Sequence, residues 1–323
     1  MPSSRTISAN GIEIFVLEQG EGPLVLLCHG WPELSYSWRH QIQAIAAAGF
    51  HVMAPDMRGF GRTTAPAEIA AYTIFDNVGD MVALVAASGK KHAVIVGHDW
   101  GAPVAWHAAM FRPDVFTAVA GLSVPPPFRG RGRPLDTLRE SGITNFYWQY
   151  FQAPGTAEAE FERDIAVTMR TLLGRGFSDP AASLFIQDGK GFLGDARSDR
   201  PLPNWLSESD LAYFAEAYKK SGFRGGLNWY RNIDRNWELT APWQNAKIHQ
   251  PSLFIAGSKD SVITGLIGAK HVNDMERVLP NLTQKLIIEG AGHWIQQERA
   301  EEVNAALIGF LKANAPTKST LAQ

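Results

Sequence analysis

The chain has 323 residues, 45% of them hydrophobic, which is enough for one large domain or two and for a sizeable core. With 30 Lys and Arg against 32 Asp and Glu, the formal net charge of −2 argues against nucleic acid or another polyanion as a partner. The single cysteine excludes an internal disulfide and fits a reducing, cytoplasmic compartment; residues 1–10 hold no apolar signal region, and no stretch is long and apolar enough to span a bilayer.

Asn10-Gly11 stands between Thr6-Ile7-Ser8 and Ile12-Glu13-Ile14-Phe15-Val16. Both turn residues tolerate positive φ, so the chain is expected to open on a β-hairpin. Gly20-Glu21-Gly22-Pro23 makes the next turn. Leu24 to Cys28 is a continuous apolar run, the pattern of a strand covered on both faces, and it makes Cys28 a buried structural thiol. His51 to Ala54, Ala93 to Val96, Ala118 to Val124, Ser252 to Ala256 and Lys285 to Ile288 read the same way. Helical spacing falls between several of them, at Trp38 to Ala48 and Ile74 to Ser88. Strand and helix in alternation predict a mostly parallel, doubly wound sheet with an antiparallel first edge.

After Val124 the alternation stops. Pro125-Pro126-Pro127 leads into Arg129-Gly130-Arg131-Gly132-Arg133-Pro134, which reads as a solvated basic linker. From Leu135 to about Ala241 the text is helical and aromatic, with no buried strand, before Ile248 to Ala256 resumes the sheet. An α/β core over 1–128 and 245–313 is therefore expected, with an α-helical cap over 129–244 inserted after one strand. The last helix, Ala300 to Lys312, puts Val303, Ala306, Leu307, Phe310 and Leu311 on one face, and 314–323 reads as a flexible tail.

Ligands of such sheets bind beyond the carboxyl ends of the strands. Four motifs sit there: His29-Gly30-Trp31-Pro32 after Cys28, Asp99 after Val96, Asp260 after Ala256, and His293 after the last strand. Val94 to Ala102 has the form of a nucleophile elbow, with small residues at Gly97, Gly101 and Ala102 where a sharp strand-to-helix turn is crowded. Asp99 occupies the place where lipases and esterases carry Ser. The chain order Asp99, Asp260, His293 is nucleophile, orienting acid, general base. A carboxylate is ionised at neutral pH and needs no base to attack, but it suits a saturated carbon with an activated leaving group rather than a carboxylester. The product is an ester on Asp99, which water activated by His293 cleaves. Elbow geometry puts the backbone N–H groups of Trp31 and Trp100 against the oxyanion of that step, and both indoles are candidate pocket walls. No metal or organic cofactor is required by this chemistry. A halide leaves as a stable anion, whereas an epoxide oxygen needs a proton donor, for which Tyr147, Tyr150, Tyr213, Tyr218 and Tyr230 in the helical segment are candidates.

Over nearly its whole length except the tail, the chain resembles soluble epoxide hydrolases of the α/β-hydrolase fold. The residues that carry the resemblance are His29-Gly30-Trp31-Pro32-Glu33, Asp56-Met57-Arg58-Gly59-Phe60-Gly61, Gly97-His98-Asp99-Trp100-Gly101, Tyr150-Phe151-Gln152-Ala153-Pro154-Gly155, Leu227-Asn228-Trp229-Tyr230-Arg231-Asn232 and Gly292-His293-Trp294. The resemblance implies a small-molecule epoxide as substrate and a vicinal diol as product. It implies Tyr230 and Tyr147 as donors to the epoxide oxygen, with Tyr150 a neighbour that could be mistaken for Tyr147. It also implies Trp148 as a pocket residue and a cis peptide bond before Pro32. Trp31 stands where the family usually has Phe. The hairpin follows Met1 directly, so the phosphatase domain that precedes this unit in the mammalian enzyme is expected to be absent. Haloalkane or haloacid dehalogenation by the same Asp-His-Asp set is the alternative, against which the tyrosine pair and Trp31 weigh. A monomer and a homodimer both fit the sequence.

Overall fold

Asn10 and Gly11 both adopt positive φ, 51° and 76°, and close the expected hairpin between β1 (Ser3–Ala9) and β2 (Ile12–Gln19). The computed structural model describes residues 2–175, 184–186 and 189–315. Six further strands follow: β3 (Leu24–Cys28), β4 (His51–Pro55), β5 (Ala93–His98), β6 (Phe116–Leu122), β7 (Ser252–Gly257) and β8 (Leu282–Ile288). They form one sheet in the order β1-β2-β4-β3-β5-β6-β7-β8. The pairs β1/β2 and β2/β4 are antiparallel and the remaining pairs parallel, as the alternation of strand and helix requires.

Successive residues of the central strands feed two cores. Val25, Leu27, Val94 and Val96 pack on one face with Trp38, the N-cap of the helix Arg39–Ala47, with Ile42 from that helix, and with Val303 and Leu307 from the helix Ala300–Asn314. Leu24, Leu26 and Ile95 face the other way, toward Leu84 and Trp106 from the helices Ile74–Ala87 and Gly101–Phe111. Every side chain of β3, β5 and β7 is buried, so period-two polarity is absent from these strands and they read as continuous apolar runs. The helix Ile74–Ala87 begins at Thr73, whose hydroxyl accepts from the Asp76 N–H while the Asp76 carboxylate accepts from the Thr73 N–H.

Between β6 and β7 the regular elements among the described residues are all helices, the one strand-like pairing being an isolated bridge between Phe146 and Phe185. Helices Tyr147–Tyr150, Thr156–Phe161, Glu208–Ser221 and Arg224–Arg231 are the ones that matter for the site.

Three expectations need correction. The basic linker is not simply solvated. The Arg129 guanidinium lies 3.8 Å above the Trp237 ring and donates to the Trp237 carbonyl, the Trp237 indole donates to Gly130 O at 3.0 Å, and Arg133 pairs with Glu238. Cation–π attraction and an ion pair tie the outgoing chain to the helix Ile233–Leu239 near its return. Strand β8 is not covered on both faces. It is the sheet edge, with Thr283, Gln284 and Lys285 exposed and Ile287 39% exposed. The final helix runs to Asn314, so the proposed tail begins inside it, and residues 316–323 lie outside the described residues.

Candidate active site

The turn after β5 is as tight as its composition demands. Asp99 has φ 50°, a left-handed conformation uncommon for a residue with a Cβ. A Cβ at Gly97 would overlap the Gly101 carbonyl, and one at Gly101 would overlap the Cys28 carbonyl, so neither position accepts a side chain. Cys28 pairs with Gly97 in the β3/β5 register, which sets the loop after β3 beside the elbow. From that loop the Trp31 N–H donates to Asp99 Oδ1 at 2.7 Å. Trp100 follows Asp99 as the N-cap of the helix Gly101–Phe111. Its N–H has no acceptor among the described residues. The Trp31–Pro32 peptide is cis.

His293 and Asp260 arrive from the loops after β8 and β7, and both are fully buried. His293 Nδ1 donates to Asp260 Oδ2 at 2.9 Å, while Nε2 faces Asp99 Oδ2 at 3.4 Å. Asp260 Oδ1 accepts from the Val262 N–H at 2.9 Å, which fixes the carboxylate as the N-cap of a short turn, Ser261–Thr264. Burial alone would lower the His293 pKa, but the charges of Asp260 and Asp99 and their hydrogen bonds outweigh it and raise the imidazole above its ordinary value. For Asp99, burial pulls upward and is outweighed by the hydrogen bond and charge of His293, the charge of His98 and the Trp31 N–H, so its carboxyl lies below the usual range. The resting site is therefore an ion pair between a carboxylate and an imidazolium.

Above it stand the two phenols. Tyr147 and Tyr230 lie on separate helices, are both buried, and have ring centroids 5.8 Å apart. The charge of Asp99 acts on both phenols. Burial, with that charge, drives both phenol pKa values up, so each stays a neutral O–H donor at any ordinary pH. Trp100 and Trp31 pack edge-on against Tyr230, at 5.0 and 5.8 Å between ring centroids. Trp148 packs against Phe146 and Tyr147 and is half-buried. The remaining tyrosines point elsewhere: Tyr150 donates to Glu160 at 2.8 Å, Tyr213 stacks on Tyr36, and Tyr218 stacks on Phe223.

Other residues of the quoted motifs turn out to be supports. His29 Nε2 accepts from the Met57 N–H at 2.8 Å, so its proton is on Nδ1 and is donated to Gly30 O at 2.8 Å; it braces the Trp31 loop and takes no part in the reacting geometry. His98 was legible only as the neighbour of Asp99. Its Nδ1 meets Glu33 Oε2 at 2.7 Å and its Nε2 meets the His293 carbonyl at 2.8 Å. Glu33 Oε1 also accepts from Gln296 at 2.8 Å and Gln297 at 3.0 Å. Burial would raise the Glu33 carboxyl, but the charge and hydrogen bond of His98 outweigh it and hold it low. Ser123, at φ 65°, donates its hydroxyl to the same His293 carbonyl at 2.9 Å. The backbone of His293 is thus held from two sides by buried groups that no spacing rule in the sequence singles out.

Comparison with known proteins gives a consistent picture. Residues 23–300 match the family model described as the alpha/beta hydrolase fold. The chain is 44% identical over 317 residues to epoxide hydrolase A of Mycobacterium tuberculosis, covering 96% of this chain and 97% of that protein. It is 41% identical to an epoxide hydrolase of Caballeronia sordidicola, covering 95% and 92% of the two chains. Among solved structures, epoxide hydrolase A of Mycobacterium thermoresistibile superposes with a TM-score of 0.92 at 44% identity, covering 98% of this chain and all of that one.

Proposed function

The chain belongs to the α/β-hydrolase fold family and, within it, to the epoxide hydrolases; from that premise we propose how its residues convert a small epoxide to a vicinal diol. Asp99 Oδ2 attacks an oxirane carbon and the ring C–O bond breaks. The leaving oxygen would otherwise be an alkoxide about as basic as hydroxide, with a conjugate acid pKa near 15.7. It takes a proton from the Tyr147–Tyr230 pair, whose tyrosinate regains one from solvent during the cycle. The result is a 2-hydroxyalkyl ester on Asp99.

Forming the ester removes the negative charge of Asp99. One of the two charges that hold the His293 proton disappears with it, so the imidazolium releases that proton to solvent and His293 then acts as a neutral base. It deprotonates water, the hydroxide attacks Asp99 Cγ, and the oxyanion develops on Oδ1, which already faces the Trp31 N–H. The Trp100 N–H is the second donor. Donors of this kind lower the barrier by about 3 to 4 kcal/mol each. Collapse expels the diol oxygen, which takes the proton from His293, and Asp99 is regenerated with one oxygen from water.

The observation that carries this reading is a carboxylate whose Oδ1 is held by a backbone N–H and whose Oδ2 faces His293, under two buried phenols. The phenols favour an epoxide over a haloalkane, since a departing halide needs no proton. Residues 129–244 act as a cap over a core formed by 1–128 and 245–313, with Tyr147, Trp148 and Tyr230 as its contribution to the site. Among the described residues no helix is long and apolar enough to cross a membrane. One buried cysteine, its thiol pKa pushed up by burial, suits a reducing, cytoplasmic setting.

Asp99→Asn tests the assignment. A neutral amide lacks the attacking charge, so diol formation from styrene oxide is expected to fall to the uncatalysed rate. Turnover at the wild-type rate, with mass spectrometry showing Asn still in place, would contradict it. Halide release from haloalkanes by the wild-type protein, without diol from any epoxide, would favour the dehalogenase alternative.

A further inference from the structure

The motifs around Tyr150–Gly155 and Leu227–Asn232 contain more than the tyrosines. Arg231 follows Tyr230 on the helix Arg224–Arg231, and its side chain is 2% exposed. The guanidinium spends its donors inside the helical segment. Nε donates to Phe151 O at 3.1 Å, Nη1 to Asn228 Oδ1 at 2.9 Å, and Nη2 to Ala153 O at 3.4 Å. Nη2 also lies 2.8 Å from Glu158 Oε1 and 3.0 Å from Oε2. Phe151 is the C-cap of the helix Tyr147–Tyr150. In the opposite sense, Gln152 Nε2 donates to Tyr230 O at 3.0 Å and to Trp148 O at 2.8 Å. The residue after one phenol therefore grips the end of the helix that carries the other, and the return contact runs from that loop to the carbonyl of Tyr230 itself.

We propose that Arg231, backed by Glu158 and Gln152, is the positioning residue that fixes the spacing of the Tyr147 and Tyr230 hydroxyls for the departing epoxide oxygen; this rests on the donor role assigned to the two phenols above. No Arg231 donor is directed at Asp99 or His293, so its effect on the reaction runs through the tyrosines. A buried guanidinium is costly unless its donors are satisfied, and here Glu158 and two backbone carbonyls satisfy it. Its planar fork reaches four accepting residues at once, Phe151, Asn228, Ala153 and Glu158. A lysine ammonium would keep the charge and lose that geometry.

The inference separates the two chemical steps. Ring opening uses the phenols, while ester hydrolysis uses His293, Asp260 and the backbone N–H groups. In single-turnover experiments with styrene oxide, Arg231→Lys is expected to slow ester formation about tenfold or more, as misplaced reacting groups do, and to leave the rate of ester hydrolysis unchanged. Gln152→Leu is expected to show the same split with a smaller loss, and it carries the test if Arg231→Lys does not fold. In the background of Tyr147→Phe with Tyr230→Phe, Arg231→Lys should add no further loss. If the tyrosine variants slow ester formation but the Arg231 and Gln152 variants leave both steps alone, slow both equally, or only lower the melting temperature, the positioning role is overturned. If the tyrosine variants themselves leave ester formation unchanged, it is the donor reading that fails.

Discussion

Asp99 and His293 carry opposite charges in the resting site, and this decides when each can act. The Asp99 carboxyl is held low and the His293 imidazole high. Attack on the epoxide needs only the carboxylate, so it continues as pH falls. Hydrolysis needs His293 without its proton, and Asp260 still pulls that proton on after the charge of Asp99 is gone. Acidification therefore blocks the second step before the first. In rapid-quench experiments the fraction of enzyme recovered as ester should be larger at about pH 5 than at about pH 8, on either side of the ordinary imidazole range. An ester fraction that is equal at the two values, or larger at high pH, would show that His293 does not gate the second step. At this scale the sequence was informative about identity and less so about support. Asp99, Asp260 and His293 sit at strand ends where chemistry is expected, and the structure brings them together. His98, backed by Glu33, and Ser123 converge on the His293 carbonyl from distant segments, and that convergence has no local signature.

The elbow is the element on which the site depends. Its glycines face backbone rather than movable side chains, Gly97 against the Gly101 carbonyl and Gly101 against that of Cys28. Gly101→Ala is expected to cost about 1–3 kcal/mol, the usual range for forcing a methyl group into a packed site, and to lower the midpoint of urea unfolding. An unchanged midpoint would mean that the turn has slack the structure does not show. Elements buried on both faces were the most legible, because β3, β5 and β7 sit between two layers and are apolar or glycine apart from Ser252 and His98 at their ends. Strand β8 shows the limit of that reasoning. Leu286-Ile287-Ile288 looks like an interior run, yet strand order places it at the edge, where Ile287 is exposed. The Arg129 linker fails for a related reason. Its partners Trp237 and Glu238 lie about a hundred residues on, and nothing near Arg129 indicates them.

At the scale of the whole molecule, one sheet edge gathers the loops after β3, β5, β7 and β8, and the helical segment after β6 supplies the phenols. The fold class and that gathering follow from alternation and strand ends alone. The pairing of Tyr147 with Tyr230 does not, since it depends on how two helices about eighty residues apart are tied by Arg231 and Gln152. The arrangement makes a definite claim about atoms: the second oxygen of the diol comes from Asp99, and water restores Asp99. One catalytic cycle run with protein in excess over styrene oxide in ¹⁸O-enriched water tests this directly. The account requires unlabelled diol and the heavy isotope in the Asp99 carboxylate, read from its peptide by mass spectrometry. Diol that carries the label from the first cycle, with Asp99 unlabelled, would show that water opened the epoxide itself.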